Sequence, residues 1–222
     1  MPRVDYDREL RSLQDDLLML GSMVEKAITK AVDALKRRDI ETSKQVINED
    51  DAIDELRFKL EDKSVEIIAT QQPIAKDLRV VFSILHMAVE LERMGDYAEG
   101  IAKISIMIGQ EPPLKPLIDI PIMADKAVAL LRRSLNAFLN RDVEEAKRIC
   151  KDDDDVDNIY DQVYRELLLF MIQDPKTIQR ATYLLWVAHD LERTADRATN
   201  IAERVVYMVT GKMAETNSKY LA

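Results

Sequence analysis

Two acidic pairs, one in each of two similar segments, are the residues of this sequence best suited to chemistry. Residues 91–102 and 191–202 are identical at seven of twelve positions, and each segment keeps a Glu and an Asp four residues apart. The pairs are Glu92 with Asp96 and Glu192 with Asp196. Side chains at that spacing lie on one face of an α-helix. The repeated spacing predicts two copies of one carboxylate site, suited to binding a cation.

The predicted surroundings of these pairs distinguish them from ordinary surface acids. With 41 acidic residues in the chain, acids four apart also arise on solvated helix faces. At about 100° per residue, however, Glu92, Asp96 and Glu99 fall on the stripe of the apolar Val81 and Leu85, which we expect to be buried. Carboxylates beside apolar packing are costly unless protons, basic side chains or a bound cation compensate them.

A second acidic pair in each half lies earlier in the sequence. Asp50 and Asp54 correspond to Asp153 and Asp157 at an offset of 103 residues, and the offset falls to 100 after the turns near residues 73 and 175. If the flanking helices form antiparallel hairpins at those turns, the early pair lies level with the later one. Four carboxylates are therefore predicted to converge in each half.

Oxygen ligands of this kind suit hard or borderline cations, and one carboxylate can bridge two ions. The residues themselves leave Mg, Ca, Mn, Fe and Zn open, whereas Cys150 is the one cysteine and excludes a thiolate site. Because each site draws its ligands from one half, we expect two similar sites that bind metal independently. The alternative is a plain acidic patch neutralised by Arg93, Arg193 and nearby lysines.

Composition and periodicity predict that long helices position these acids. Gly is scarce at 5 residues and aromatic residues make up only 5%, while a heptad of apolar residues runs from Leu10 to Ala34. We predict an all-α protein of two tandem, homologous antiparallel three-helix bundles, with six long helices from an internal duplication. The fifth helix is expected to run from about residue 143 to 172. The expected domains are residues 1–110, a Pro-rich linker without helix at 111–121, and residues 122–222.

Charge and hydropathy exclude several classes of protein. The net charge of −9 opposes nucleic acid as a partner, because phosphate backbones require a basic surface. Apolar runs such as residues 104–108, which Ser105 interrupts, are far shorter than the ~20 residues of a membrane span. The first residues lack the apolar core of a signal peptide, and the lone cysteine suits a reducing compartment. We therefore predict a cytoplasmic protein, and the absence of a catalytic triad or glycine-rich phosphate loop predicts that it is not an enzyme.

The duplicated Leu-Glu-Arg-x-x-Asp-x-x-Ala-x-x-Ile-Ala segments resemble those of the PhoU family of phosphate-uptake and phosphate-regulon regulators. The resemblance implies a cytoplasmic adaptor that negatively regulates phosphate uptake through the ATPase subunit of the phosphate ABC transporter and the phosphate-sensing histidine kinase. Such an adaptor would be peripheral to the membrane through these protein partners, and a homodimer is possible. The resemblance also implies a multinuclear iron or zinc cluster in each repeat. The matching positions are Asp50, Asp54, Glu92, Asp96, Asp153, Asp157, Glu192 and Asp196.

Two other functions compete with this interpretation. A carboxylate-bridged di-iron oxidase or iron store also uses acids inside a helical bundle, but such sites typically need a Glu-x-x-His pair from each of two helices. No Glu in this sequence is followed by His three residues later. A metal-free helical scaffold is the third possibility. Metal content and oxygen consumption together distinguish the three.

Overall fold

The computed structural model describes residues 3–212, and within that range it is helical without β-strands. It contains α1 (Arg3–Arg37), α2 (Ile40–Gln71), α3 (Lys76–Ile108), α4 (Asp119–Asn140), α5 (Val143–Asp152), α6 (Asp154–Gln173), a 3₁₀ helix (Pro175–Thr177) and α7 (Ile178–Thr210). The first repeat consists of α1 to α3, and the second of α4 to α7. The predicted all-α fold with two copies of a three-helix unit is confirmed.

The predicted fifth long helix is interrupted at Asp153, which separates α5 from α6. Asp153 keeps helical backbone angles, with φ −59° and ψ −36°, so α6 continues α5. The interruption lies in the hydrogen bonds, because the amide of Val156 donates to the carbonyl of Asp153 at 2.8 Å, three residues back rather than four. The sixth long helix, α7, begins at Ile178 and ends at Thr210 before Gly211.

The two repeats begin their second helices in the same way. Asp39 caps α2 by accepting a hydrogen bond from the Thr42 amide at 3.0 Å, and Asp142 caps α5 through the Glu145 amide at 2.9 Å. The residue before each cap is an arginine with a positive φ, 57° at Arg38 and 54° at Arg141. This shared left-handed turn reverses the chain and fixes the start of the helix that carries the first acidic pair.

The segment between the repeats is shorter than expected. The linker was expected to run without helix through Pro121, but α4 begins at Asp119. Pro121 lies in the first turn of α4, where backbone amides have no intrahelical partner and proline costs no hydrogen bond. Arginines from both repeats hold the linker: Arg38 donates to the Gln110 carbonyl at 3.2 Å, and Arg180 donates to the Pro112 carbonyl at 3.4 Å.

The repeats pack together along α3 and α7, which form the most extensive helix contact among the described residues. The two helices run antiparallel, since Arg79 near the start of α3 donates to the Met208 carbonyl near the end of α7 at 3.3 Å. One hydrophobic core passes through both repeats. The predicted site acids lie on α2 and α3 in the first repeat and on α5, α6 and α7 in the second, so each group includes one of the two helices that meet at the centre.

Candidate metal centres

The acids of α3 and α7 lie at the edge of the buried helix face. The buried face of α3 is centred on Leu91, Met94 and Ala98, whereas Glu92 is partly buried and Asp96 is exposed. The expectation that these acids lie on the buried stripe was therefore wrong. The reason is that α3 packs against α1, α2 and α7, so its buried arc is wide and the acids fall on its margin.

The first site, defined by Asp50, Asp54, Glu92, Asp96 and Glu99, brings together acids from α2 and α3. Burial raises the pKa of Asp50 to about 7, and the neighbouring charges of Glu99, Asp54 and Asp96 raise it further. Burial and then Asp96 raise the pKa of Glu92. The pKa of Asp96 is raised because neighbouring helix atoms remove part of the water around its exposed side chain, and the charge of Asp54 adds to this effect. Each of the five carboxylates is therefore within electrostatic range of at least one other member of the group.

Basic side chains also lie at the first site. Lys103 forms an ion pair with Glu99 at 2.6 Å. Arg57 and Arg93 both oppose the rise in the pKa of Glu92, so their positive charges are close to that carboxylate. Arg57 donates from Nη1 to Glu61 at 3.0 Å, while its buried Nε has no hydrogen-bond partner among the described residues. Part of the negative charge of the first site is therefore balanced by the protein itself.

The second site, defined by Asp153, Asp157, Glu192 and Asp196, lies between the α5–α6 helix and α7. Burial raises the pKa of Asp153 to about 7, with Asp157, Asp196 and Glu192 adding to the effect. Burial also raises the pKa of Glu192 to about 7 and raises that of Asp196. One oxygen of Asp153 (Oδ1) and one of Glu192 (Oε2) are fully buried and lack hydrogen-bond partners among the described residues. Unpaired buried oxygens are costly and call for a proton or a cation.

Arg193 and Cys150 complete the surroundings of the second site. Arg193 donates to Asp196 at 2.7 Å. Burial raises the pKa of the Cys150 thiol to about 12, and the charges of Glu203 and Asp153 reinforce the effect. Cys150 is therefore a neutral thiol, which fits the sequence argument against a thiolate ligand.

The donor chemistry fits a divalent cation, but the side chains do not form a closed coordination shell. Carboxylate oxygens from two helices, some of them unsatisfied, are the ligands that hard and borderline cations prefer. Within residues 3–212, however, no three His, Cys, Asp or Glu side chains are arranged so that they could hold a metal ion. The donor types thus suit a cation, but their arrangement in the described residues does not bring three ligands together, and metal binding at these positions stays a prediction.

A polar network between the two sites was not predicted from the sequence. Arg197 on α7 donates to Glu90 on α3 at 3.1 Å and to the Tyr97 hydroxyl at 3.4 Å, and Asn200 donates to Glu90 at 3.1 Å. Arg193, which binds Asp196 of the second site, also donates to Tyr97. Tyr97 and Arg197 occupy the same position in the two repeats. This difference inside the duplicated segment is the sequence feature that could have indicated the network.

The fold and the sites define a class of protein: a helical bundle with an internal duplication and a cluster of carboxylate side chains in each half. The PhoU domain model matches twice, at residues 17–105 and 120–205, and the chain belongs to the PhoU family. It is 37% identical over 218 residues to a phosphate-specific transport system accessory protein PhoU homolog of Clostridium acetobutylicum, covering 98% of this chain and all of the relative. It is 38% identical to the Aquifex aeolicus homolog of the same name, covering 94% of both chains.

Solved structures agree with this assignment. The crystal structure of PhoU from Pseudomonas aeruginosa matches with a TM-score of 0.89 and 33% identity over 93% of this chain and 100% of that one. The phosphate transport system regulatory protein PhoU from Streptococcus pneumoniae matches with a TM-score of 0.88 and 31% identity over 95% and 99% of the two chains. The family predicted from the duplicated motif is confirmed.

Proposed function

We propose that this chain is an accessory protein of a phosphate-specific transport system that restrains phosphate uptake and phosphate-regulon signalling. The observation that carries the proposal is the double PhoU match, with relatives of that name aligned over nearly the whole chain. The protein acts in the cytoplasm by binding, without catalysis. Its partners are the ATPase subunit of the phosphate ABC transporter and the phosphate-sensing histidine kinase.

The charge of the chain supports docking on a protein partner. A net charge of −9 favours basic protein surfaces, speeds association with them and makes that association sensitive to salt. None of the helices in the described range is long and apolar enough to cross a membrane. In this proposal, the protein contacts the transporter through the cytoplasmic surfaces of the transporter subunits.

The two carboxylate sites supply the metal-binding part of the proposal. The unsatisfied buried oxygens of Asp153 and Glu192 and the raised pKa values at both sites support a bound cation. Iron or zinc is the family expectation, with Mg, Mn and Ca also compatible with carboxylate ligands. A bound cation would supply positive charge that removes carboxylate repulsion and ties together the helices on which the ligands lie. The chain itself supplies the ligands and their spacing.

Deletion and complementation test the regulatory function. A strain lacking the gene should take up more phosphate in rich medium, or express phosphate-starvation genes there, and the wild-type gene should reverse the change. The tagged protein should also co-purify with the transporter ATPase or the kinase, with lower yield at high salt. If the deletion strain behaves like its parent and the purified protein shows oxygen-dependent metal turnover, the regulatory function is contradicted and an oxidase function is supported instead.

A further inference from the structure

Two patches of exposed apolar side chains lie at opposite ends of the α3–α7 pair. The first patch consists of Leu78, Phe82 and His86 near the start of α3 and Tyr207 near the end of α7. The centroid of the Phe82 ring lies 4.8 Å from that of His86 and 6.3 Å from that of Tyr207. Leu78 and Phe82 are still 40% and 41% exposed, so the patch is open to solvent.

The second patch consists of the equivalent residues of the other repeat. It combines Ile178, Thr182 and Trp186 near the start of α7 with Met107 near the end of α3. Ile178, Trp186 and Met107 are 48%, 50% and 60% exposed. Threonine replaces the phenylalanine of the first patch, and the other three positions hold an apolar or aromatic residue in both repeats. Exposed apolar patches of this kind mark surfaces that interact with other proteins.

An approximate twofold axis relates the two patches. The helices α3 and α7 run antiparallel, and the equivalent residues Arg197 and Tyr97 meet near the middle of the pair, where the guanidinium donates to the hydroxyl at 3.4 Å. At 1.5 Å per helical residue, α3 rises by about 37 Å between Phe82 and Met107. The molecule therefore presents one apolar surface twice, about 37 Å apart, in two orientations related by the axis.

The acidic sites lie between the two patches along the same side of the helix pair. About five full turns of α3 separate Leu78 from Asp96, so the two side chains point in one direction. The same spacing separates Ile178 from Asp196 on α7. We call this side, which carries both patches and both acidic sites, the α3–α7 face.

The α3–α7 face carries an excess of negative charge. The five acids of the first site and the four of the second outnumber the Arg and Lys side chains that oppose the rise in their pKa values in the described range, which are Arg57, Arg93, Lys103, Arg193 and Arg197. A second copy of this chain on the face would bring acids against acids, and like charges across an interface disfavour association. A basic surface complements these acids and suits the net charge of −9.

The duplication of the patches indicates the symmetry of the partner. Symmetric dimers are the commonest oligomers, and their two subunits present one contact surface twice around a twofold axis. A monomeric partner has one such surface and would leave one of the two patches uncovered. Trp186 and Phe82 are the aromatic residues of the two patches, and aromatic side chains are frequent anchors of protein interfaces.

We propose that the α3–α7 face docks across the twofold axis of a homodimeric protein, with one patch on each subunit and the acids against basic side chains near the axis. One molecule of this chain then binds two partner subunits. This inference rests on the proposed docking to a protein of the phosphate transport system, and it adds the symmetry and the stoichiometry of the complex. Two linked contacts bind more tightly than either alone by about 100-fold or more.

The stoichiometry is tested by native mass spectrometry of the full-length protein with each of two purified probes, the transporter ATPase and the sensor kinase. At least one probe should give a complex of one molecule of this chain with two subunits. Complexes with one molecule of this chain per subunit would overturn the inference and leave the proposed function standing. Binding to neither probe would also overturn it, and phosphate uptake in the deletion strain decides separately whether the proposed function stands.

Substitution of each patch tests the role of the two contacts. Leu78→Ser with Phe82→Ser removes the first patch, and Ile178→Ser with Trp186→Ser removes the second. Each double variant should bind the probe about 100-fold more weakly and shift the complex to one subunit per molecule of this chain. Loss of either patch without a change in affinity and stoichiometry would overturn the twofold docking.

The control changes exposed apolar residues outside the α3–α7 face. Met19→Ser with Leu139→Ser alters α1 and α4 at side chains 57% and 47% exposed, and it should leave affinity and stoichiometry unchanged. Met107→Ser changes the most exposed apolar residue of the two patches and should weaken binding by about tenfold without a loss of folding, which the melting temperature checks. A wild-type chain that sediments as a dimer, and that the patch variants convert to a monomer, would place a second copy on this face and overturn the inference.

Discussion

Glu90 and Asp190 occupy the same position in the two repeats but lie in different surroundings. Glu90 accepts hydrogen bonds from Arg197 and Asn200 across the α3–α7 contact. Asp190 faces Gly100, where an added Cβ would lie 3.1 Å from its Oδ2, and burial raises its pKa to about 7. Both repeats thus have an acid at this position, but basic and amide side chains balance the charge of Glu90, whereas Asp190 faces a glycine. Comparison of the repeats therefore separates the acids common to the fold from the compensation particular to each half.

Of the changes that test this comparison, removal of the Arg197 guanidinium should have the largest effect on stability. Arg197→Met should lower the free energy of unfolding by about 3 kcal/mol, because Glu90 would remain buried without its ion-pair partner. Urea denaturation measures the change. The double variant with Glu90→Gln should recover much of the loss, since it removes the uncompensated charge. A single variant as stable as the wild type would show that solvent already screens Glu90.

Chelation of metal should have the next largest effect. Cation at about 100 times its dissociation constant stabilises the folded state by about 2.7 kcal/mol, so a chelator should lower the melting temperature by several degrees. Loss of one site, for example through Asp153→Asn with Asp196→Asn, should reduce this sensitivity. Chelator-independent melting of the wild type would indicate acids that are simply solvated.

The dependence of stability on pH should distinguish the acids of the second site from surface acids. In the metal-free protein the pKa values of Asp153 and Glu192 are both about 7, against about 4 in the unfolded chain. Between those values the folded protein binds more protons than the unfolded chain, so the free energy of unfolding falls as pH rises to about 7 and then levels off.

Asp153→Asn with Glu192→Gln should reduce this fall by about 1–2 kcal/mol between pH 5 and 7.5, a discounted value because the site is partly open to solvent. Urea denaturation in the presence of chelator is the measurement. Asp51→Asn with Glu55→Gln, which changes two exposed acids on α2, is the control and should leave the slope unchanged. The same slope in both variants would contradict an effect of burial.

The smallest expected effect compares the equivalent acids directly. At pH 7.5, Glu90→Gln should destabilise the protein by about 1 kcal/mol, because it weakens the pair with Arg197. Asp190→Asn should stabilise the metal-free protein by about 1 kcal/mol, since it removes a charge that burial has desolvated. Thermal unfolding of the two variants in chelator tests the opposite signs, and changes of the same sign would contradict the comparison.

Local signals in the sequence were sufficient to predict the fold of each repeat. Apolar periodicity gave the long helices, and the Asp39 and Asp142 caps and Pro73 marked helix ends with known backbone chemistry. The hairpin register that pairs Asp50 with Asp96 followed from the turn position alone. Asp153 carries no such signal, because neither Gly nor Pro accompanies the interruption between α5 and α6.

Features that depend on contact between the repeats could not be predicted in this way. The pattern within α3 does not show that a third helix, α7, also packs on it, and this contact widened the buried face and left Asp96 exposed. The pairing of Arg197 with Glu90 depends on the same contact. Helical periodicity identifies one buried face but does not reveal which distant segment covers it.

The antiparallel contact between α3 and α7 has a consequence for the ancestry of the chain. Equivalent positions meet across an approximate twofold axis: Glu90 contacts Asn200, Asp190 faces Gly100, and Tyr97 meets Arg197. A half-length precursor could have paired with a second copy of itself through this same surface, as symmetric dimers do. In such a dimer every mutation would alter both sides of the contact at once. In a single chain the two sides are encoded separately, so Arg197 faces Tyr97 without a second arginine opposite it.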